Sequence, residues 1–176
     1  STGLGMPLTK LEQIIGIFKA YTTRVGSGPF PTELHDSIGE KLREKGKEFG
    51  ATTGRPRRCG WFDAMAAKYS CMINGLTDIA LTKLDILDSF ENIKICIGYK
   101  YNNSKIDTYS ESIDVEGDIE PVYKEFKGWC INLNGINDYN MLPLECKEYI
   151  EYIEDYMNTK ISIISVGPGR NDIIFK

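Results

Sequence analysis

The sequence predicts an α/β fold with a mostly parallel sheet, flanking helices and a peripheral antiparallel hairpin region. Three observations carry this. Asp78-Ile79-Ala80-Leu81 is a short apolar run of the kind found in strands buried on both faces, and it stops in Thr82-Lys83-Leu84-Asp85. Ile161-Ser162-Ile163-Ile164-Ser165 is a second such run and enters the glycine turn Val166-Gly167-Pro168-Gly169. Between the strands lie segments whose apolar residues recur at helical spacing, capped by turn-forming residues.

Taken in order, Leu8, Leu11, Ile14, Ile15 and Phe18 recur as on one helix face, which predicts an amphipathic helix from Leu8 to Tyr21 with Thr9 as a cap. The glycines and prolines of Thr22 to Pro31 mark a loop presenting Arg24 and Val25. Thr32 then reads as the N-cap of a helix running to about Lys45, with His35 packed on its surface. A further helix is expected from Trp61 to Asn74, with Phe62, Met65, Ala66, Tyr69 and Met72 on its apolar side and Gly75 as its C-cap. Ile93 to Tyr99 alternates and turns at Tyr101 to Lys105 toward Ile106 to Tyr109, a hairpin. Glu111 to Glu120 is acidic and aperiodic, a surface loop, and Val122 to Trp129 alternates again. Asn132 to Asn140 reads as a loop, Pro143 to Met157 as a helix with Leu144, Tyr149, Ile150 and Ile153 inward, and Asp172 to Phe175 as an edge strand.

A chain of 176 residues with 41% hydrophobic and 26% charged residues suits one domain, or part of one, with a real core. Its net charge of -4 argues against general nucleic-acid binding, which shows a basic face. Five cysteines, odd in number and never in a C-x-x-C pair, indicate neither a disulfide framework nor a zinc site, and reduced thiols in the cytoplasm are the simplest reading. No apolar run approaches the length of a membrane span, and no charged leader with an apolar core opens the chain.

Against this acidic background Gly50 to Trp61 stands out. Three arginines, two threonines and three glycines fall within it, with Pro56 stiffening the middle. Glycine lets a backbone approach a ligand closely, and guanidinium forks match carboxylate or phosphate in bidentate fashion. Alternation along an extended segment lets Arg55 and Arg57 face one ligand while Arg58 turns elsewhere. A solvated basic turn has the same composition. At the second candidate, a carboxylate at Asp85 can accept the paired N1–H and N2–H donors of guanine, which adenine lacks, while the Lys83 stem covers the base. An exposed Lys and Asp after a strand would look alike.

Lys19 to Leu34 (KAYTTRVGSGPFPTEL), Gly46 to Trp61 (GKEFGATTGRPRRCGW), Ala80 to Asp85 (ALTKLD) and Ile163 to Pro168 (IISVGP) together resemble, in the same order, the C-terminal half of adenylosuccinate synthetase. The resemblance spans essentially the whole chain. It implies residues 1–176 are the C-terminal portion of a single domain and a piece of a larger central sheet. It also implies a cytoplasmic, homodimeric, GTP-dependent ligase of purine biosynthesis that joins inosine monophosphate (IMP) to L-aspartate, giving adenylosuccinate, GDP and phosphate with Mg2+. Carried onto this sequence, Ala51, Thr52, Thr53, Gly54, Arg55, Pro56 and Arg57 would bind aspartate, and Val25 and Arg55 would bind IMP. Arg57, Lys83, Leu84, Asp85, Ser165, Val166 and Gly167 would form the GTP side.

The family's phosphate-binding loop (G-D-E-G-K-G-K), its general-base aspartate and its catalytic histidine have no counterpart here. The resemblance therefore places no catalytic residue and no metal ligand in this chain, puts the Mg2+ ligands elsewhere, and implies that the chain does not turn over alone. Two alternatives stay open: a non-catalytic guanine-nucleotide-binding module or split subunit, and a polyanion binder using Arg55, Arg57 and Arg58, whose affinity would fall steeply with salt.

Overall fold

The computed structural model of the chain describes residues 3, 11–102, 104–106, 109 and 119–176. A four-stranded sheet, ordered β1 (Ile15–Lys19), β5 (Asp78–Thr82), β9 (Lys160–Ser165) and β10 (Ile173–Phe175), forms the base. The first three strands are parallel and β10 is an antiparallel edge; of the four, β5, β9 and β10 fall where the sequence predicts strands. A short antiparallel ribbon joins β2 (Thr22–Arg24) to β3 (Arg58–Gly60). The third sheet is the hairpin region: β6 (Asn92–Tyr101) pairs antiparallel with β7 (Ser104–Ile106) and β8 (Ile119–Lys127), while β4 (Phe62–Asp63) lies parallel to it. Helices α1 (Ser37–Lys45), α2 (Ala64–Asn74) and α3 (Leu144–Met157) complete the fold. One apolar cluster, including Leu42, Trp61, Leu81, Ile93, Tyr149 and Ile161, joins helices to sheets.

The helix expected from Leu8 to Tyr21 is replaced by strand over Ile15–Lys19; residues 8–10 of that expectation lie outside the described residues. An apolar run this short satisfies both periods, and parallel pairing with β5 decides it. The Leu76 side chain packs directly over Gly16, where a Cβ would lie 2.3 Å from Leu76 Cδ1. At the chain's next turn, the Tyr149 hydroxyl of α3 donates to the Ala20 carbonyl at 2.7 Å, tying the end of β1 to the helix layer.

The second helix begins later than expected. Thr32 is buried rather than a cap, because Leu34 N donates to Cys59 O and Glu33 bridges Gly60, which holds this stretch extended against β3. Asp36 caps α1 instead, its side chain accepting from Ile38 N and Gly39 N at 3.0 and 3.1 Å. Asp36→Ala is expected to lower stability by about 1 kcal/mol, read as a shifted denaturant midpoint with unchanged slope.

Likewise Phe62–Asp63 is a strand, with Trp61 just before it also outside the helix, and α2 starts at Ala64 with the Asp63 side chain accepting from Ala66 N. Gly75 ends it in the left-handed conformation, φ 59°. Met72 and Leu144, expected inward, face solvent, whereas Met65, Tyr149, Ile150 and Ile153 are buried. His35 stands exposed just before α1. Residues 111–118 of the expected acidic loop lie outside the described residues, and Ile119 and Glu120 already belong to β8.

Candidate functional site

The Gly/Thr/Arg stretch forms a tight loop closed on itself. Arg57 N donates to Glu48 O at 2.9 Å, Gly50 N to Arg55 O at 2.8 Å, and Gly54 N to Gly50 O at 2.8 Å. Gly54 takes the left-handed conformation needed at the tip. Ala51, Thr52, Thr53, Gly54, Arg55 and Pro56 are all exposed, so the loop offers its hydroxyls and one guanidinium outward. Arg58 does turn elsewhere: it donates to Glu33 Oε2 at 2.8 and 2.5 Å and to the carbonyls of Gly26 and Gly28, pinning the 26–28 turn. Arg24 folds back on the carbonyls of Pro29 and Ser27, leaving Val25 exposed at the turn.

Arg57, on the returning limb, points inward to a buried carboxylate. Glu48 has no exposed side-chain surface, and four side chains converge on it. Lys19 Nζ lies 2.9 Å from both oxygens, the Tyr21 hydroxyl donates to Oε1 at 2.6 Å, Lys83 Nζ to Oε1 at 2.7 Å, and Arg57 Nη1 to Oε2 at 2.9 Å. Burial alone would raise the Glu48 pKa, but hydrogen bonds from Lys83, Tyr21 and Lys19 outweigh it and bring it to about 2. Burial first, then this carboxylate, pushes the Tyr21 phenol well above its usual range. Three cations around one anion leave the cluster positive, and Arg57 Nε is buried without a partner.

Lys83 links this cluster to the strand ends. It sits just past β5 with φ 61°, and its ammonium also donates to Gly46 O at 2.6 Å. Leu84 follows in a 3-10 turn and is fully buried in the core. Asp85 then lines a cavity of about 660 Å³ at the carboxyl ends of the parallel strands, together with Asp88, Asn132, Val166, Gly167 and Asp172. Burial, helped by the charge of Asp172 and opposed by its own backbone amide and Lys83, holds the Asp85 pKa above its usual value.

The opposite wall is equally specified. Ser165 Oγ donates to Gly167 O at 2.9 Å, and Asp172 accepts from Gly169 N at 2.7 Å while its carbonyl accepts from Val166 N. A Cβ on Gly167 would meet Asp172 Oδ2 at 2.5 Å, so only glycine fits there without a shift. The Asn-rich loop forms the third side because Asp88 accepts from Trp129 Nε1 at 2.8 Å and Leu133 N at 2.9 Å.

A second cleft, of about 540 Å³, opens beside Lys19, Thr22, Thr23 and Arg24 and is floored by Asp63 and Tyr99. The Tyr99 hydroxyl donates to Asp63 Oδ2 at 2.5 Å, and burial raises the Asp63 pKa. Among the described residues no three His, Cys, Asp or Glu side chains gather as a metal site, and no helix is long and apolar enough to cross a membrane.

The structure thus joins Arg57 to Lys83 through Glu48, and Asp85 to Val166 and Gly167 around one cavity. It does not join Val25 to these groups, and Arg55 meets the solvent at the loop tip. Sequence reasoning missed Glu48, Lys19, Tyr21, Asp88 and Asp172. The one local signal was an acidic residue at position 48 directly ahead of a basic loop.

Comparison with known proteins places the chain in a family. The family model described as adenylosuccinate synthetase matches residues 1–174. The adenylosuccinate synthetase of Thermodesulfovibrio yellowstonii is 52% identical over 175 residues, covering 99% of this chain and 41% of that protein. That of Geotalea uraniireducens is 53% identical over 173 residues, covering 98% and 40%. A solved structure of fully ligated adenylosuccinate synthetase from Plasmodium falciparum superimposes with a TM-score of 0.92 at 44% identity, over 99% of this chain and 42% of the other. The chain therefore spans about two fifths of the length of these relatives.

Proposed function

The chain belongs to the adenylosuccinate synthetase family, and from that premise we propose that it supplies the aspartate, IMP and guanine determinants of a GTP-dependent ligase. The observation that carries this reading is the cavity at the strand ends. It holds the half-buried carboxylate of Asp85 against the Gly167 turn and is wired through Lys83 and Glu48 to the arginine loop.

On this reading Asp85 accepts guanine N1–H and N2–H, and the Gly167 backbone, bare of a side chain, borders the base. Ser165 and Val166 hold that wall, Leu84 fixes the turn, and Lys83 covers the ring with its stem. Thr52, Thr53 and Arg57 take the carboxylates of L-aspartate within the Ala51–Arg57 loop, Gly54 and Pro56 shaping it, while Arg55 and Val25 meet IMP. These groups bind and orient; they stabilise charge where the aspartate amine and a phosphoryl-activated IMP meet. Magnesium, when bound, neutralises phosphate charge, but the described residues offer no cluster to seat it. Its ligands and the catalytic base are assigned outside residues 1–176, this chain being the C-terminal portion of a cytoplasmic, homodimeric enzyme and inactive alone.

Two measurements test the reading. The protein at its natural length should form adenylosuccinate from GTP, IMP and L-aspartate, while the 176-residue chain should bind GDP without turnover. Asp85→Ala should weaken GDP binding by about 1.5–3 kcal/mol, roughly 10- to 150-fold, and leave the weak ADP binding unchanged. Equal affinity for GDP and ADP in the unaltered protein would sink the guanine assignment, and turnover by the isolated chain would sink its incompleteness.

A further inference from the structure

We propose that the buried carboxylate of Glu48 is a positioning residue that couples the aspartate-side arginine, Arg57, to the guanine-side lysine, Lys83. The inference rests on the substrate assignment above and goes beyond it, because Glu48 meets no substrate. It holds two groups that do.

The geometry is specific. Glu48 Oε1 accepts from Lys83 and Tyr21, Oε2 accepts from Arg57, and Lys19 lies 2.9 Å from both. A carboxylate has about four lone-pair sites, so these donors saturate it and fix its plane. Arg57 and Lys83 therefore sit on opposite oxygens of one rigid group. The two cations are 26 positions apart in the chain and belong to different elements.

The backbone reinforces the link at both ends. Glu48 O accepts from Arg57 N, so the residue carrying the hub also closes the aspartate loop. Lys83 takes a left-handed backbone conformation that most residues avoid, and its ammonium is held by Gly46 O and Glu48 together. Asp85 follows two residues later. A shift of Lys83 is thus a shift of the guanine reader, and a shift of Glu48 moves both subsites.

Charge explains why a carboxylate is needed there. Lys19, Arg57 and Lys83 would repel one another without it, yet with it the cluster keeps an excess of positive charge for an incoming anion. An anion that draws Arg57 toward itself loosens its hold on Oε2, and the carboxylate is then shared more fully with Lys19 and Lys83. Occupancy on one side becomes a change in affinity on the other, and linkage makes the effect reciprocal.

Calorimetric titration of the natural-length protein with GDP and, separately, L-aspartate tests this. Lys83→Ala should weaken L-aspartate binding by about 5-fold or more although Lys83 is assigned to guanine, and Glu48→Gln should weaken both ligands. Glu48→Asp, which keeps the charge on a shorter stem, should recover part of each loss. In a Glu48→Gln background Lys83→Ala should no longer affect L-aspartate. A merely structural role would lower the melting temperature and the bindable fraction without this cross-effect. Should Glu48→Gln fail to fold, Lys83→Ala alone decides: an L-aspartate affinity within about twofold of the unaltered protein overturns the coupling. Failure of the unaltered protein to bind either ligand overturns the substrate assignment instead, and the coupling with it.

Discussion

Glu48→Ala is expected to destabilise the fold by about 3 kcal/mol, the lower end for breaking a buried ion pair, because the stranded Lys19, Arg57 and Lys83 keep 27–35% of their side-chain surface in solvent. The loss of a partner for the buried Tyr21 hydroxyl adds to this. The pH dependence gives an independent check. The folded-state pKa of Glu48, about 2, lies below its ordinary 4.5, so the folded state binds the proton less readily. Its contribution is then complete above pH 4.5 and is lost as pH falls toward 2. At about 1.36 kcal/mol per decade that fall corresponds to roughly 3 kcal/mol. Urea midpoints of the unaltered protein should decline across this window, and those of Glu48→Gln should decline less by about that amount. Parallel curves for the two proteins would remove Glu48 from the account of stability.

That cluster also shows where a sequence stops being legible. β5 and β9 could be read because a short apolar run ending in polar or glycine residues is a local property, and α3 because its buried residues repeat along fourteen contiguous positions. Gly75 as a C-cap is equally local. Ile15–Lys19 could not be read, since Ile14, Ile15 and Phe18 satisfy a helical stripe as well as a strand and only pairing with β5 chooses. The start of α1 was misplaced at Thr32, because nothing local shows that β3 claims residues 33 and 34 and leaves the cap to Asp36. Glu48 has partners 29, 27 and 35 positions away, so no window of sequence contains the site it organises. The arginine loop was visible by composition as a candidate anion site. What composition could not give was the assignment of Arg57 to an internal carboxylate and of Arg58 to Glu33.

Gly128→Ala is expected to be costlier than any single cap or surface change, and to reach the strand-end cavity without touching it. A Cβ at this position would lie 1.6 Å from Phe90 O and 2.8 Å from Phe90 C. Both are backbone atoms, so no rotamer change relieves the clash and the chain crossing must separate. Gly128 N donates to Glu91 O at 2.8 Å, which means the same displacement breaks a hydrogen bond at the start of the β6 and β8 pairing. A cost of at least about 3 kcal/mol follows, or a melting temperature lower by roughly 6 °C or more for a chain of this size. The next residue carries the effect onward. Trp129 Nε1 donates to Asp88, and Asp88 also fixes Leu133 N and so the loop that lines the cavity opposite Val166 and Gly167. GDP affinity should therefore fall in Gly128→Ala even at temperatures where the protein is fully folded, and Trp129→Phe, which removes the indole donor but little volume, should reproduce part of that fall with a smaller loss of stability. A melting temperature within about two degrees of the unaltered protein would mean the crossing can open at little cost, and normal GDP binding in both variants would mean the Asn-rich loop does not shape the base pocket.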